Sequence, residues 1–493
     1  MRCIRINPAD NVAVALTDLV TGENACGVKL ATDVPAGHKF TLVSLAKGEN
    51  VVKYGFPIGH VTSDVSAGCH IDHNCIRTNL EGLLDYSYTP SGRDVPPASG
   101  KVEFMGFRRG DGQVGVRNQI WIIPTVGCVN GICQTLAERF RSEISGREGS
   151  VDTVVAFPHN FGCSQLGDDH ENTRRILADM VHHPNAGGVL IVSLGCENNQ
   201  LDSFMDVVGQ VDASRVRSMV VQKIEGDETE CGMKHLRDIF SVCSADVREP
   251  VPVSELKVGL KCGGSDGLSG ITANPLVGVL SDWIVSHGGT TVLTEVPEMF
   301  GAETLLMNRC ADETLFRKTV ALINDFKDYF IKQGQPVYEN PSPGNKAGGI
   351  STLEEKSLGC TQKSGSSTVR GVLKYGGRLK EKGLNLLSAP GNDLVASTAL
   401  AASGCQIVLF TTGRGTPFGT FAPTMKISTN TPLAVRKPGW IDFNAGVLAE
   451  DGSMDEVSRR FAQYVLSVAS GEKVNNEKNG WREIAIFKTG VTL

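Results

Sequence analysis

Hydrophobic and polar positions divide the chain into regions of two kinds. In the first 90 or so residues, short apolar runs such as NVAVAL and FTLVSL are separated by Gly and Pro turns at close spacing. Short β-strands joined by tight turns produce this pattern, so residues 1–90 are predicted to form a small, mostly β module. Pro, Ser and Gly then replace the apolar residues, which predicts a linker over residues 91–100.

From about residue 101 onward, continuous Val/Ile/Leu runs alternate with amphipathic segments. QIWIIPTVGC precedes CQTLAERFRSEI, and GGVLIVSLGCE precedes QLDSFMDVVGQV. Buried parallel strands and their crossover helices have this pattern. The sequence therefore predicts an α/β fold with Rossmann-like, mostly parallel sheets. The segment VREPVPVSELK divides it into a central domain, residues 101–248, and a C-terminal domain, residues 249–493.

Composition narrows the classes of function. The 493 residues carry a formal net charge of −6, which argues against nucleic acid or an anionic membrane as the main partner. No apolar stretch approaches the length of a membrane span, and the N-terminus lacks the pattern of a signal peptide. A cytoplasmic protein is predicted. Its 14 cysteines are expected to be reduced and to act, where they matter, as thiols or metal ligands.

Four cysteines follow apolar runs at equivalent positions, in the turns TVGCVNG, HNFGCSQ, SLGCENN and LKCGGSD. A single free cysteine is most often a small buried hydrophobe. Four of them at predicted strand ends suggest a shared iron or iron–sulfur site, because thiolates bind soft metals. No CxxC pair is present, so both interpretations stay open. The candidate metal ligands are Cys128, Cys163, Cys196 and Cys262.

Histidines mark two further places. His159 lies four residues before Cys163 and close to Asp169, which suits a general base, a metal ligand or a solvated side chain. In the small module, SAGCHIDHNC contains His70 and His73 as candidate metal ligands. Alternation along a regular strand would place these two on opposite faces, so one metal would not take both from such a strand.

Several loops carry groups that bind anions. Arginine captures a carboxylate through two hydrogen bonds, and glycine lets backbone N–H groups approach an anion closely. Each such loop is also compatible with a tight turn that bears an exposed charge. The candidate substrate-binding residues are Arg117, Asn118, Gly263, Gly264, Ser265, Lys346, Thr412 and Arg414.

Together these motifs resemble those of the altronate/galactarate dehydratase family. The resemblance runs from KYGFPIGH through GDGQVGVRN, HPNAGGVLIVSLGCENNQ and CGGSDGLSGITANPLVG to NPSPGNKAGGISTLEEKSLG, TTGRGTPFG and REIAIFKTGVTL. It implies an N-terminal SAF-type β module, α/β domains, a divalent metal such as Fe²⁺ or Mn²⁺, and dehydration of a sugar acid. The turn HIDHNCIRTN is similar to that of the altronate branch. A homo-oligomer is also compatible with the family.

This resemblance leads to a hypothesis for the reaction. His159 would take the C2 proton of an aldonic acid, and Asp266 or Asp169 would assist the metal or the leaving C3 hydroxyl. Lys346, Arg414 and the backbone of residues 263–265 would hold the carboxylate and hydroxyls. Three alternatives remain: another sugar acid such as galactarate, an iron–sulfur hydro-lyase, and a non-catalytic sugar-acid binding protein.

Overall fold

The structure is a computed structural model that describes residues 2–80, 82–92, 94–338 and 340–490. Arg93, within the predicted linker, lies outside the described residues, as do Met1 and Glu81 of the predicted module. The rest of the linker contains neither helix nor strand. No helix among the described residues is both long and apolar enough to span a membrane.

The N-terminal module consists of short antiparallel strands, as the closely spaced turns predict. A four-stranded sheet has the order β1-β2-β5-β8, a three-stranded sheet has the order β6-β7-β9, and β3 pairs with β4. The strands are β1 (Cys3–Ile4), β2 (Val12–Ala15), β3 (Asn24–Ala25), β4 (Val28–Lys29), β5 (Lys39–Thr41), β6 (Asn50–Lys53), β7 (Phe56–Val61), β8 (His70–Ile71) and β9 (Ile76–Arg77).

The central region contains a four-stranded parallel sheet of order β13-β12-β14-β15. Apolar clusters cover both faces, which explains why β12 is a continuous buried run. The strands of the region are β10 (Glu103–Arg108), β11 (Val114–Gly115), β12 (Gln119–Pro124), β13 (Thr153–Ala156), β14 (Ala186–Ser193), β15 (Val216–Val220) and β16 (Glu249–Pro252). Its helices are α1 (Asn130–Ile144), α2 (Gly167–Val181), α3 (Leu201–Val208) and α4 (Glu228–Cys243).

The C-terminal region is built on a seven-stranded parallel sheet of order β19-β20-β18-β17-β21-β22-β23. The strands are β17 (Lys257–Cys262), β18 (Thr290–Leu293), β19 (Val369–Leu373), β20 (Gly383–Leu387), β21 (Ile407–Thr412), β22 (Thr424–Ser428) and β23 (Phe443–Asn444). The helices are α5 (Ala273–Ser286), α6 (Glu303–Met307), α7 (Glu313–Lys332), α8 (Pro343–Ala347), α9 (Leu353–Thr361), α10 (Asp393–Ala402), α11 (Thr431–Arg436), α12 (Met454–Ala469) and α13 (Asn475–Lys478).

Both parallel sheets contain a point at which the strand order reverses. The reversal lies between β12 and β14 in the central sheet, and between β17 and β21 in the C-terminal sheet. Ligands of open α/β sheets bind at such points, beyond the carboxyl ends of the strands. The fold class predicted from the apolar runs is confirmed, and the two reversals give two places to look for a site.

Candidate active site

The loop that follows β17 fills the reversal point of the C-terminal sheet. Its Asp266 carboxylate accepts hydrogen bonds from Thr429 Oγ1 at 2.8 Å and Asn430 Nδ2 at 3.0 Å, both just beyond β22. It also accepts one from Ser269 Oγ at 3.0 Å. Burial raises the pKa of Asp266 above its ordinary value despite these bonds. Two separate segments therefore meet at a carboxyl group that is able to retain a proton.

Two glycines allow this close packing. A Cβ atom at Gly413 would lie 2.2 Å from Cγ of Asp266, and one at Gly267 would lie 1.7 Å from the carbonyl oxygen of Gly37 in the small module. Both separations are far below van der Waals contact. Glycine is therefore required at both positions for the loops of the C-terminal sheet and the N-terminal module to meet here.

The module contributes a histidine pair to the same place. His38 follows Gly37, and its Nδ1 lies 2.9 Å from Nε2 of His70, on the neighbouring strand β8. Its other nitrogen lies 3.4 Å from the carbonyl oxygen of Ala347 in the C-terminal domain. Both rings are partly buried, and burial lowers the pKa of both below the ordinary histidine value. Both are therefore neutral near pH 7, which is the form that ligates metals.

The geometry of this pair suits a divalent metal. Two ligands at right angles on one ion, each about 2.1 Å from it, are about 3.0 Å apart, close to the separation of the two ring nitrogens. Asp72 acts on both histidines through its charge, but its carboxylate oxygens do not form a group with the two ring nitrogens within 4.8 Å. The pair alone therefore supplies two ligands of the kind that Fe²⁺ or Mn²⁺ accepts. His38 was not among the candidates from sequence.

Of the two candidate metal ligands in this turn, His70 belongs to the histidine pair and His73 does not. Nδ1 of His73 lies 3.8 Å from the Asp72 carboxylate and has no hydrogen-bond partner among the described residues. His70 instead contacts a histidine 32 positions away, because strand pairing sets β8 beside β5.

Buried ion pairs hold the module against the C-terminal domain. Glu355 of α9 binds Lys39 Nζ at 2.9 Å and Lys53 Nζ at 2.8 Å, and all three side chains are at most 2% exposed. Burial would raise the pKa of Glu355, but the two ammonium groups hold it at about 2. Lys39 also donates to the carbonyl oxygen of Gly349 at 2.8 Å. Lys39, which is the residue next to His38, is thereby held in place.

A second buried cluster lies beneath the β17 loop. Lys261 binds Glu295, which has a left-handed φ of +69°, and donates to Asp393 at 2.9 Å. Lys356 binds Glu298 at 2.7 Å, and Cys360 donates to the same carboxylate at 3.2 Å. A non-glycine residue held at positive φ costs free energy and is concentrated at functional sites.

Cys262 belongs to this cluster. Sulfur and oxygen atoms of Cys262, Glu298 and Cys360 all lie within 4.8 Å of one another, which satisfies the spacing of a metal site. Interaction with the neighbouring Cys360 and the charge of Lys363 lower the pKa of Cys262. Lys356 already binds the Glu298 carboxylate, so an added cation would have to displace this ammonium group. The cluster is therefore better suited to fixing the floor of the site than to holding a metal.

Four predicted substrate-binding residues lie on the β17 loop or at the turn beside it. The backbone of Gly263 and Gly264 bonds with β21 and the turn after it, and Ser265 Oγ lies 2.7 Å from Cys262 Sγ. Thr412 Oγ1 accepts from Gly415 N at 2.8 Å, which shapes the turn that bears Arg414. Ser265 thus supports the loop, and Thr412 supports the turn.

Two predicted cations lie on segments that border the β17 loop. A Cβ at Gly264 would touch the stem of Arg414 at 3.0 Å, so this arginine lies next to the loop. Lys346 precedes Ala347, whose carbonyl oxygen contacts His38. Arg414 is exposed and Lys346 is partly exposed. Both are placed to meet an anionic substrate.

Arg117 and Asn118 lie at the opposite, amino-terminal end of β12. Arg117 is fully buried, and its donors bind the Glu477 carboxylate and the carbonyl oxygens of residues 116, 468 and 472. Asn118 is buried too and donates to the Cys243 carbonyl oxygen. Their assignment as substrate ligands is corrected: Arg117 joins the central region to the C-terminal region, and Asn118 holds segments of the central region together.

His159 and Asp169 are also engaged elsewhere. The His159 Nε2 atom lies 2.8 Å from the Pro124 carbonyl oxygen, and its Nδ1 accepts from Phe161 N at 3.1 Å. Asp169 accepts from the backbone nitrogens of Thr489 and Gly490, and so fixes the C-terminal segment. Neither side chain has an atom free for a substrate proton, so both are corrected from catalytic to structural roles.

Replacing His159 by asparagine is therefore expected to change stability and leave turnover near that of the unmodified chain. Burial lowers the pKa of His159 to about 4, so between about 6.5 and 4 the unfolded chain binds a proton that the folded chain does not. As the pH is lowered from about 6.5 to about 4, the free energy of unfolding of the unmodified chain should therefore decrease, by up to about 1.4 kcal/mol per pH unit from this group. Denaturant unfolding of both proteins at several pH values measures it. Loss of turnover with unchanged stability would contradict the correction.

The four cysteines predicted to share a site are divided. Cys128, Cys163 and Cys196 follow β12, β13 and β14 of the central sheet and are exposed. Cys262 is buried at the end of β17 in the other sheet. A single four-cysteine site is therefore corrected to three thiols on one sheet and one on another.

A parallel sheet whose reversal point gathers proton-transfer groups, cations and a metal-fitting histidine pair is the arrangement of an enzyme for a small anionic molecule. Comparison with models of protein families identifies the family of this enzyme. The D-galactarate/altronate dehydratase C-terminal model matches residues 253–492, the second-domain model of D-galactarate dehydratase/altronate hydrolase matches residues 106–244, and the altronate/galactarate dehydratase SAF model matches residues 1–79. The chain belongs to the altronate/galactarate dehydratase family.

Curated relatives agree over the whole length. The chain is 58% identical over 495 residues to altronate dehydratase of Bacillus subtilis (strain 168), covering 99% of each. It is 56% identical over 497 residues to altronate dehydratase of Escherichia coli (strain K12), covering 100% of each. It is 33% identical over 490 residues to galactarate dehydratase (L-threo-forming) of the same E. coli strain, covering 95% of this chain and 93% of that protein.

Proposed function

We propose that the chain is a hydro-lyase that dehydrates D-altronate to 2-dehydro-3-deoxy-D-gluconate in hexuronate catabolism. The observation that carries this is the 56–58% identity to altronate dehydratases over the full length of both proteins. At 33%, the galactarate dehydratase is much less similar. The site supports the same reaction class, since it gathers cations and proton-transfer groups around one loop.

The difficult step is removal of the C2 proton, which is weakly acidic because the neighbouring carboxylate already carries a negative charge. Lys346 and Arg414 are the cations that would hold this carboxylate, and they would offset the second charge as it develops. Asp266, whose pKa is raised, is the group that would retain a proton for the leaving C3 hydroxyl. The buried ion pairs around Glu355 and Glu295 keep these groups in place.

The family implies a divalent cofactor, and Fe²⁺ or Mn²⁺ is proposed here. His38 and His70 are the residues that would hold it, and the nearby Asp72 would add negative charge. A divalent ion supplies Lewis acidity toward carboxylate and hydroxyl oxygens, typically several kcal/mol of charge stabilisation. The two neutral imidazoles accept it without first losing protons.

The direct test is an assay for 2-keto-3-deoxy acid. The purified chain is incubated anaerobically with D-altronate or with galactarate, each with and without added Fe²⁺ or Mn²⁺. Metal-dependent product from altronate, with little from galactarate, is expected. Product from galactarate alone would overturn the proposed substrate, and no product from any sugar acid would overturn the enzyme assignment.

Replacing Arg414 by alanine is expected to raise KM for altronate by about 10-fold to 100-fold, with a smaller change in kcat. A hydrogen bond between charged groups contributes about 1.5–3 kcal/mol, and a carboxylate bound in both ground and transition states affects mainly KM. Initial rates over a range of altronate concentrations measure both constants.

The matched control for Arg414 is Arg139→Ala, since Arg139 is an exposed arginine on α1 of the other domain. It should leave both constants unchanged. Equal effects of the two substitutions would remove Arg414 from substrate binding.

A cytoplasmic location and a homo-oligomer are proposed as well. Each of the 14 cysteines is a free thiol in the structure, which suits a reducing compartment. Fractionation of cells and light scattering of the purified chain measure the two properties.

A further inference from the structure

Three exposed thiols stand on neighbouring turns of the central sheet. Cys128, Cys163 and Cys196 follow three adjacent parallel strands, and in each turn a glycine precedes the cysteine. Cysteine is among the most buried residue types, yet these three are exposed. The one other exposed cysteine, Cys26, lies in the small module. Three of the four exposed cysteines therefore lie where the three turns meet.

Backbone hydrogen bonds join the three turns directly. Gly127 N donates to the Phe161 carbonyl oxygen at 3.0 Å, which links the turns of Cys128 and Cys163. Asn199 N donates to the Gly162 carbonyl oxygen at 3.0 Å, which links the turns of Cys163 and Cys196. A Cβ at Gly162 would lie 2.0 Å from the Thr125 carbonyl oxygen, so the glycine is needed for this contact.

A buried carboxylate fixes the third turn. Glu197, next to Cys196, is 2% exposed and accepts from Thr125 Oγ1 and Ser193 Oγ, each at 2.6 Å. It also accepts from Gly195 N at 2.6 Å. Side chains of the first and third turns therefore share one network beneath the thiols.

The backbone beside the second thiol is strained. Ser164 has a φ of +55°, and its N–H donates to Asn198 Oδ1 of the third turn at 2.7 Å. A left-handed serine costs roughly 1–3 kcal/mol and persists where surrounding contacts enforce it, most often at functional sites. The turns also lie at the reversal point between β12 and β14, where ligands of such sheets bind.

We propose that Cys128, Cys163 and Cys196 ligate an iron–sulfur cluster at this edge of the central sheet. Three thiolates on a single ion are separated by at most twice the metal–sulfur bond, about 4.6 Å. The three Sγ atoms do not form a group within 4.8 Å of one another, since Cys262, Glu298 and Cys360 are the one such group among the described residues. A single ion is therefore excluded, and a multinuclear cluster, whose cysteines bind different irons, is the metal group that three adjoining turns would hold.

The number of protein thiolates also determines whether an iron of the cluster is left for another ligand. A [4Fe–4S] cluster has four irons, so three cysteines leave one iron open to a ligand that is not protein. Because the turns are exposed, an oxygen donor from a small molecule can reach that position. The inference goes beyond the proposed dehydration and does not depend on it.

The experiment is anaerobic reconstitution of the full chain with Fe³⁺, sulfide and excess dithiothreitol, which reduces two of every four irons, followed by removal of unbound reagents. The bound iron and acid-labile sulfide are counted chemically, and visible charge-transfer absorption is recorded. About four irons and four sulfides per chain are expected from the cluster type. The variants Cys128→Ser, Cys163→Ser and Cys196→Ser should each bind less than half of this and lose most of the absorption.

The matched control is Cys26→Ser, which removes an exposed thiol away from the three turns and should bind iron and sulfide like the unmodified chain. Circular dichroism and thermal unfolding confirm that each serine variant is folded. The proposal is overturned if the unmodified chain binds iron without sulfide, binds one zinc ion instead, or if the serine variants bind as much as the control.

Failure of this proposal is distinguishable from failure of the proposed function. A chain that dehydrates altronate with Mn²⁺ but binds no sulfide would reject the cluster and keep the function. A chain that binds the cluster through the three cysteines but consumes no sugar acid would do the reverse.

Discussion

Replacing His38 by alanine is expected to lower kcat/KM for altronate by about 10²-fold to 10⁴-fold, the range that a positioned proton-transfer or ligand group contributes. His38 bridges His70 and the Ala347 carbonyl oxygen, so its loss removes half of the histidine pair and a contact across the domain boundary. Affinity for Mn²⁺ should weaken by at least about tenfold. Steady-state rates and titration with Mn²⁺ followed by electron paramagnetic resonance measure the two effects.

His60→Ala is the control for this substitution. His60 lies on β7 of the same module and bonds to Asn79 on the surface, away from the β17 loop. It should retain full activity and Mn²⁺ affinity. If His38→Ala behaves like this control, the metal and the chemistry must be located elsewhere.

Replacing Glu355 by alanine is expected to lower the free energy of unfolding by about 3–5 kcal/mol, because Lys39 and Lys53 would stay buried without a counter-charge. Activity should fall as well, since Lys39 adjoins His38. As the folded-state pKa of Glu355 is depressed to about 2, the stabilisation is present above the ordinary glutamate pKa and is lost as pH falls toward 2. Urea unfolding at pH 7 measures the loss.

The comparison variant is Glu23→Ala, which breaks the exposed pair with Arg2. Solvent screening limits such pairs to about 0–1 kcal/mol. A loss for Glu355→Ala as small as that for Glu23→Ala would show that the module does not depend on the buried pairs.

Local pattern was sufficient to predict the strands and the loops that bear chemistry. The run QIWIIP is continuous and buried, and it forms β12 because both of its faces are covered by helices and loops. The loop after β17 was predicted from its Cys-Gly-Gly-Ser-Asp run, and Asp266 lies at the reversal point. Such features depend on neighbours in sequence, which is why sequence alone reveals them.

Contacts between distant segments could not be predicted in this way. The sequence gives no sign that Lys39, Lys53 and Lys261 are buried, because their burial depends on carboxylates elsewhere in the chain. Lys53 and Glu355, for example, are 302 positions apart. Arg117 shows the reverse, since its loop resembles an anion site but its partner is Glu477, 360 positions later. The signal that could have found His38 was its motif GHKFTL, in which Gly37 is required for docking on Gly267.

The two lysines that meet Glu355 have a consequence for building hybrids of this enzyme. A foreign β module grafted in place of residues 1–80 would bring its own histidines, but these would face the sheet only if two ammonium groups reached the same carboxylate from β5 and β6. Compatibility of a graft is thus set by those two positions and by the glycine beside His38, whatever the remainder of the donor module contains.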